Sequence, residues 1–125
     1  MLNNEKGFTL IEIIAVLVIF GILAAVAIPK YISLMDQSRI AAAQSAIAEV
    51  KSRASGWYAI QFMEGQMPTV ALVQASVLAS PYLGSDFTVA TAIGAGSTNM
   101  TITVSEVKGT TMTGVVGTWY LPTGN

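Results

Sequence analysis

The sequence predicts an α+β protein in which one long N-terminal helix precedes a small antiparallel β-sheet. Three observations support this fold class. An almost unbroken apolar run follows Gly7, and a helical period of 3.6 residues continues beyond it. From Phe87 onwards the apolar residues recur with period two, which is typical of strands that bury one face.

The composition limits what such a chain can do. Hydrophobic residues make up 53% of the 125 residues and charged residues only 10%, with a net charge of −1, whereas soluble domains carry about 25% charged residues. The lack of a basic patch argues against nucleic-acid binding. Because the chain has no His and no Cys, it offers no imidazole base, no thiolate and no zinc site of the usual kinds. We therefore expect neither an enzyme nor a metal or other cofactor.

The charged residues divide the chain into four zones. They are rare in the apolar run, frequent in the stretch after it and rare again in the Thr-rich remainder. We accordingly expect four segments in chain order: a polar leader (1–7), an apolar helix (8–29), an amphipathic helix that continues it (30–64), and a head with a loop, a short helix and three strands (65–125).

The apolar segment is long enough to cross a membrane. As a helix, residues 8–28 would span about 30 Å, the thickness of the hydrocarbon core of a bilayer. A cleavable secretory signal is the alternative, but its apolar core would be about 7–15 residues long, and the helical pattern here continues past Lys30. We therefore predict a retained membrane helix. Lys6 and the Met1 amine favour a cytoplasmic N-terminus, but Lys30 at the other end balances them.

Glu12 is the one charged residue of the apolar segment. A carboxylate costs roughly 2.5–3.5 kcal/mol at the centre of a membrane helix, and less near the end of the segment, where Glu12 lies. The side chain either reaches the lipid headgroups or pairs with a positive group.

Residues 7–12, Gly-Phe-Thr-Leu-Ile-Glu, followed by an apolar helix, resemble the N-terminus of type IV pilins and their relatives, the class III signal. The resemblance is strong over residues 1–56. Beyond them only the architecture is similar. It implies the pilin fold, cleavage between Gly7 and Phe8 by a prepilin peptidase, and N-methylation of Phe8. Glu12 would then neutralise the new amine, which is mostly cationic at neutral pH, on a neighbouring subunit or on its own Phe8.

The same resemblance implies the partners and the location. The precursor would lie in the inner membrane, meet the peptidase and the pilus assembly platform, and polymerise with copies of itself into an extracellular type IV pilus. Such filaments serve adhesion, twitching motility or DNA uptake, and the sequence favours none of these. The close alternative is a type II secretion pseudopilin or a minor pilin, although only Asp86 and Glu106 are available for the acidic calcium loop of major pseudopilins. A periplasmic domain on an uncleaved signal anchor is the distant alternative.

Gly21 and Pro29 disfavour a regular helix where they stand. Glycine costs about 1 kcal/mol relative to alanine in a helix interior, and proline removes a backbone donor and clashes with the preceding turn. Both predict a bend or a local opening. The resemblance further implies that residues 21–29 melt in the assembled filament.

Beyond Pro29 the helix is expected to continue to about Phe62, ahead of Gly65 and Pro68. At about 1.5 Å per residue the whole helix would be roughly 80 Å long, more than a domain of this size can bury, so its first half must lie in lipid or in a bundle of copies. The spacing predicts an apolar stripe that faces the head: Ile40, Ala43, Ile47, Val50, Ala54, Trp57 and Tyr58.

The C-terminal half is predicted to be a short helix followed by a three-stranded antiparallel meander. The helix would run from about Val70 to Leu78 and end before Pro81, although Val70, Val73 and Val77 would also suit a strand. One face of the sheet would pack on the helix stripe, and the other would expose threonines, which suits a neutral surface that lies against copies. Without Cys, the head lacks the disulfide of many type IV pilins. The strands are expected near 87–93, 100–105 and 111–121, with turns at 94–99 and 107–110.

Overall fold

The computed structural model describes residues 7–79 and 84–122 and divides into two units, Met1–Gln37 and Ser38–Asn125. The α+β fold class is confirmed, and the described helices and strands end within about two residues of the predicted bounds. The predicted stop at Pro81 and the leader ahead of Gly7 lie outside the described residues. In chain order the elements are α1 (Leu10–Met63), α2 (Val70–Leu78), β1 (Phe87–Ile93), β2 (Asn99–Val107) and β3 (Thr110–Tyr120), with 3₁₀ turns at Gly84–Asp86 and Ala95–Ser97.

The N-terminal unit consists of the first half of α1. Every described side chain from residue 7 to residue 38 is exposed, and the helix is long and apolar enough to cross a membrane. The helix runs through Gly21 and Pro29 without a break. The melting of residues 21–29 is an expectation for the filament, and it stays a prediction.

The end of α1 is set by Gly65. This glycine has a φ of +78°, a left-handed conformation that side chains with a Cβ rarely adopt. The Gly65 N–H donates to the Phe62 carbonyl at 3.1 Å, and the Gln66 N–H donates to the Gln61 carbonyl at 2.9 Å. These two bonds form a Schellman motif, which explains why the helix stops where the sequence predicts.

The core of the C-terminal unit is one cluster shared by both helices and the sheet. This cluster confirms the centre of the apolar stripe predicted for α1. Ile40, predicted to be part of that stripe, is 42% exposed, because burial along α1 begins only at Ala43. The buried residues are Ala43, Ala46, Ile47, Val50 and Ala54 of α1, Val70, Val73 and Val77 of α2, Met100, Ile102, Val104 and Val107 of β2, and Trp119 of β3.

The sheet is an antiparallel meander with the order β1-β2-β3. On the central strand β2, alternate residues are buried up to Val104. Val104 and Glu106 then pair with both neighbouring strands, whereas Ser105 pairs with neither. This bulge shifts the alternation, so that Val107 is buried. The predicted turn at Lys108-Gly109 is confirmed, and the positive φ angles of 49° and 73° match a type I′ hairpin.

Aromatic side chains tie the end of β3 to α1. The Trp119 indole N–H donates to Ser55 Oγ at 2.9 Å, and the Tyr58 hydroxyl donates to the Pro122 carbonyl at 3.0 Å. The rings of Tyr58 and Trp119 meet edge to face with centroids 6.4 Å apart. Such pairs contribute about 0.5–1.5 kcal/mol beyond their buried area, so these contacts hold the C-terminal strand in place in a chain without cysteine.

Gly117 allows β3 to approach α1 closely. A Cβ at this position would overlap Ile47 Cγ2 and come within 3.2 Å of Lys51 Cε. The glycine is therefore required by helix–sheet packing, since its backbone does not have a positive φ.

We expect Gly117→Ala to destabilise the C-terminal unit by about 1–3 kcal/mol, because the new methyl group overpacks the helix–sheet contact. Gly56→Ala is the matched control, since a Cβ at this exposed helical position meets nothing within 4 Å. It should stabilise the chain by up to about 1 kcal/mol. Thermal unfolding of the full chain in detergent, followed by tryptophan fluorescence, measures both. A Gly117→Ala melting temperature equal to that of the wild type would contradict the close approach.

Candidate assembly site at the start of the long helix

The predicted assembly residues lie where α1 begins. Gly7, Phe8 and Thr9 are not helical, and the helix starts at Leu10. The Thr9 carbonyl accepts the first helical bonds, from the Glu12 N–H at 3.1 Å and from the Ile13 N–H at 3.3 Å. Thr9 is therefore the N-cap residue of α1.

Thr9 and Glu12 hold each other through three further hydrogen bonds. The Glu12 N–H donates to Thr9 Oγ1 at 3.3 Å. In return, Glu12 Oε2 accepts from the Thr9 N–H at 2.8 Å and from the Thr9 hydroxyl at 2.9 Å. This reciprocal arrangement is a capping box, which satisfies backbone donors that the first turn of a helix leaves without a partner.

Thr9 was not among the residues predicted for this site. Glu12 was expected to pair with an amine, and no role was assigned to the threonine three residues before it. The signal was present, because Thr-x-x-Glu ahead of an apolar run is the sequence signature of a capping box. The prediction treats Glu12 as an isolated membrane charge and therefore does not include the capping role of Thr9.

Phe8, Thr9 and Glu12 form a small exposed cluster. Phe8 is 85% exposed, and with Glu12, Ile13 and Val16 it lines an open apolar hollow on the side of the helix. Among the described residues, the hydrogen bonds to the Glu12 carboxylate end at Oε2, so Oε1 can accept a further donor. Gly21 and Pro29 lie further along α1, outside this cluster.

The chemistry of the cluster suits charge pairing. A capped carboxylate beside an exposed apolar surface can accept a cation once that surface is covered by lipid or protein. Within the described ranges, no group of three or more His, Cys, Asp or Glu residues could hold a metal ion.

Comparison with known proteins finds a known sequence motif in the N-terminal region. Residues 2–28 match the prokaryotic N-terminal methylation motif. The chain is 46% identical over 48 residues to the type II secretion system core protein G of Pseudomonas aeruginosa, and 42% identical over 53 residues to a fimbrial protein of the same species. These two alignments cover 38% and 42% of this chain and 34% of each relative.

A longer alignment reaches beyond the N-terminal region. The chain is 38% identical over 86 residues to the type IV narrow pilus major component PilA5 of Thermus thermophilus, which covers 68% of this chain and 71% of that protein. No solved structure matches the chain significantly. The methylation motif, the long apolar helix packed on a three-stranded sheet, and the extent of the similarity to PilA5 lead to one conclusion: the chain belongs to the type IV pilin family.

Proposed function

We propose that this chain is the major structural subunit of a type IV pilus, held in the membrane as a precursor and assembled through the first half of α1. The observation that carries the proposal is the uniform exposure of that apolar half-helix, residues 10–37. An apolar surface of this extent requires lipid or copies of itself around it. A precursor held in the membrane is surrounded by lipid. A subunit in a filament is surrounded by copies of itself.

The extent of the alignments favours a major pilin over a pseudopilin. The 86 residues aligned with PilA5 exceed the length of the chain up to the end of α1 at Met63, so part of the C-terminal half is aligned too. PilA5 is named a major component. The 48 residues aligned with core protein G are few enough to fit within the leader and α1. A pseudopilin remains the second candidate because of that 46% identity.

The proposed cleavage site is accessible. Gly7 and Phe8 precede the helix and are exposed, so the bond between them can enter the site of a prepilin peptidase without unwinding α1. Cleavage would create an amine on Phe8, which the same enzyme would methylate. The proposal therefore needs this peptidase and a membrane assembly platform as partners.

Glu12 would serve assembly by pairing with the Phe8 amine of a neighbouring subunit. In a bundle of apolar helices an unpaired carboxylate and an unpaired amine are both costly, and pairing offsets both. Only one axial stagger of two helices brings the two groups together, so the pair would set the register. Thr9 donates to Glu12 Oε2 and leaves Oε1 for the incoming amine.

The processing step has a direct test. Filaments sheared from cells should consist of a chain that starts at N-methylated Phe8, as read by N-terminal sequencing and intact mass. Gly7→Leu should leave the chain uncut in the membrane, because the bulky side chain adjoins the scissile bond. A Cβ at Gly7 meets nothing within 4 Å, so the fold itself tolerates the change. Assembled filaments that retain Met1 would falsify the cleavage proposal.

Two variants separate the charge of Glu12 from its capping role. Glu12→Gln keeps a side chain that suits a capping box but removes the charge, so the yield of sheared filaments should fall at least about tenfold, the effect of about 1.4 kcal/mol. Thr9→Val removes the cap hydroxyl and keeps the charge, so the yield should stay near that of the wild type. Immunoblots of sheared and cell-bound protein give the ratio. Normal assembly of Glu12→Gln would show that the charge of Glu12 is not required.

Melting of residues 21–29 in the filament depends on Pro29, which cannot donate a helical hydrogen bond. We expect electron cryo-microscopy of wild-type filaments to show this segment extended, and Pro29→Ala to restore a continuous helix. A segment that is fully helical in both filaments would rule the melting out.

A further inference from the structure

The C-terminal unit has a cleft between α1 and β3 that the described residues leave open. The cleft has a volume of about 270 Å³. Gly117, where the strand comes closest to the helix, lies at the wall of this cleft. Its apolar wall is accessible, since Val116 is 60% exposed. The lining residues include Gln44, Ile47 and Ala48 of α1 and Val115, Val116 and Gly117 of β3.

Lys51 places a positive charge at the rim of this cleft. Its Nζ lies 3.4 Å from the position that a Cβ on Gly117 would take, so the ammonium group lies over the glycine. Among the described residues Lys51 forms no salt bridge, whereas Arg53 on the same helix pairs with Glu49. A cation beside an apolar cleft favours a ligand that brings a carboxylate.

The strand beside the cleft also lacks the protection usual at a sheet edge. β3 is an outer strand of the sheet, and its eleven residues contain no charge and no proline. Proteins ordinarily block long edge strands with charged residues, proline or a covering segment. A neutral edge of this length is suited to being covered by another chain.

The central strand of the same sheet carries a residue of the opposite charge, directed toward β1. Glu106 of β2 accepts a hydrogen bond from Thr88 Oγ1 of β1 at 3.1 Å, which holds the carboxylate on the β1 side. Asp86, at the end of the 3₁₀ turn before β1, accepts a hydrogen bond at its carbonyl from the Lys108 N–H at 2.7 Å. In the described part of the chain neither acid forms a salt bridge. Among the described residues the unit thus presents Lys51 without a salt bridge beside β3, and Glu106 without a salt bridge on the β1 side of the sheet, with Lys108 in the turn that follows β2.

We infer that the cleft between α1 and β3 receives the β1 edge of a second copy of this chain, with Glu106 of that copy beside Lys51. The inference rests on the proposed function, because it assumes that the chain polymerises. The two surfaces are different, so the contact is heterologous: each subunit uses its cleft toward one neighbour and its Glu106 edge toward the other. Repetition of such a contact builds an open helical filament rather than a closed dimer.

A charge exchange tests the contact in filaments of the full chain. Lys51→Glu and Glu106→Lys should each lower the yield of sheared filaments about tenfold, because each places like charges together. The double variant Lys51→Glu/Glu106→Lys should recover most of the loss. The matched control combines Lys51→Glu with Glu64→Lys, which reverses an acid near the end of α1, and it should recover nothing. Equal recovery in both pairs would overturn the assignment of Glu106.

Cross-linking gives a second measurement that does not depend on charge. Because the chain has no cysteine, Lys51→Cys/Glu106→Cys introduces the only thiols. A short bis-maleimide applied to these filaments should produce a ladder of dimers, trimers and larger species, and Lys51→Cys/Glu64→Cys should not. A dimer from Lys51→Cys alone would indicate a symmetric contact and overturn the heterologous one.

Failure of this inference is distinguishable from failure of the proposed function. If wild-type cells yield no filament of this chain, the proposed function fails. If wild-type filaments form but the exchange gives no specific recovery and the paired cysteines give no ladder, the proposed function stands and this contact is wrong. Immunoblots of total cell protein identify any variant that fails to accumulate, and for such a variant the cross-link decides.

Discussion

The structure depends on one constraint: the first half of a 54-residue helix has an apolar surface that its own chain leaves exposed. A small domain removes apolar surface from water by closing a core, and here a core forms only from Ala43 onwards. The N-terminal apolar surface must therefore be covered by something outside the chain. The exposed Gly7-Phe8 bond, the capped carboxylate and the pilin family all fit the proposed subunit, which exchanges lipid for copies of itself.

The second half of α1 packs against a small sheet that no disulfide stabilises. Alanines at positions 43, 46 and 54 are buried, and their small side chains let other elements approach the helix. Gly117 does the same from the strand side. The hydrogen bond from Trp119 to Ser55 then anchors the end of β3 to the helix. Close approach and a few specific polar contacts thus take the place of a covalent link.

The sequence predicted the helices and strands well because their patterns are local. The change from a period of 3.6 to a period of two located the sheet, and Gly65 located the end of α1. The features that were missed depend on pairing or on tertiary contact. A bulge at Ser105 follows from two neighbouring strands at once, and the requirement for Gly117 follows from a helix far away in the chain. The Thr9 cap is local and has a sequence signature, Thr-x-x-Glu. The prediction of an ion pair at Glu12 does not use that signature.

The capping box has a thermodynamic consequence for polymerisation. Its three hydrogen bonds join residues three positions apart, so they form within one chain and need neither water nor a partner. A contribution present equally before and after subunits join cancels from the difference in free energy between the two states. In the proposed filament, Thr9 would thus lower the energy of stored and polymerised subunits alike. The balance between a membrane reservoir and the polymer would then be set by the ion pair and the helix packing.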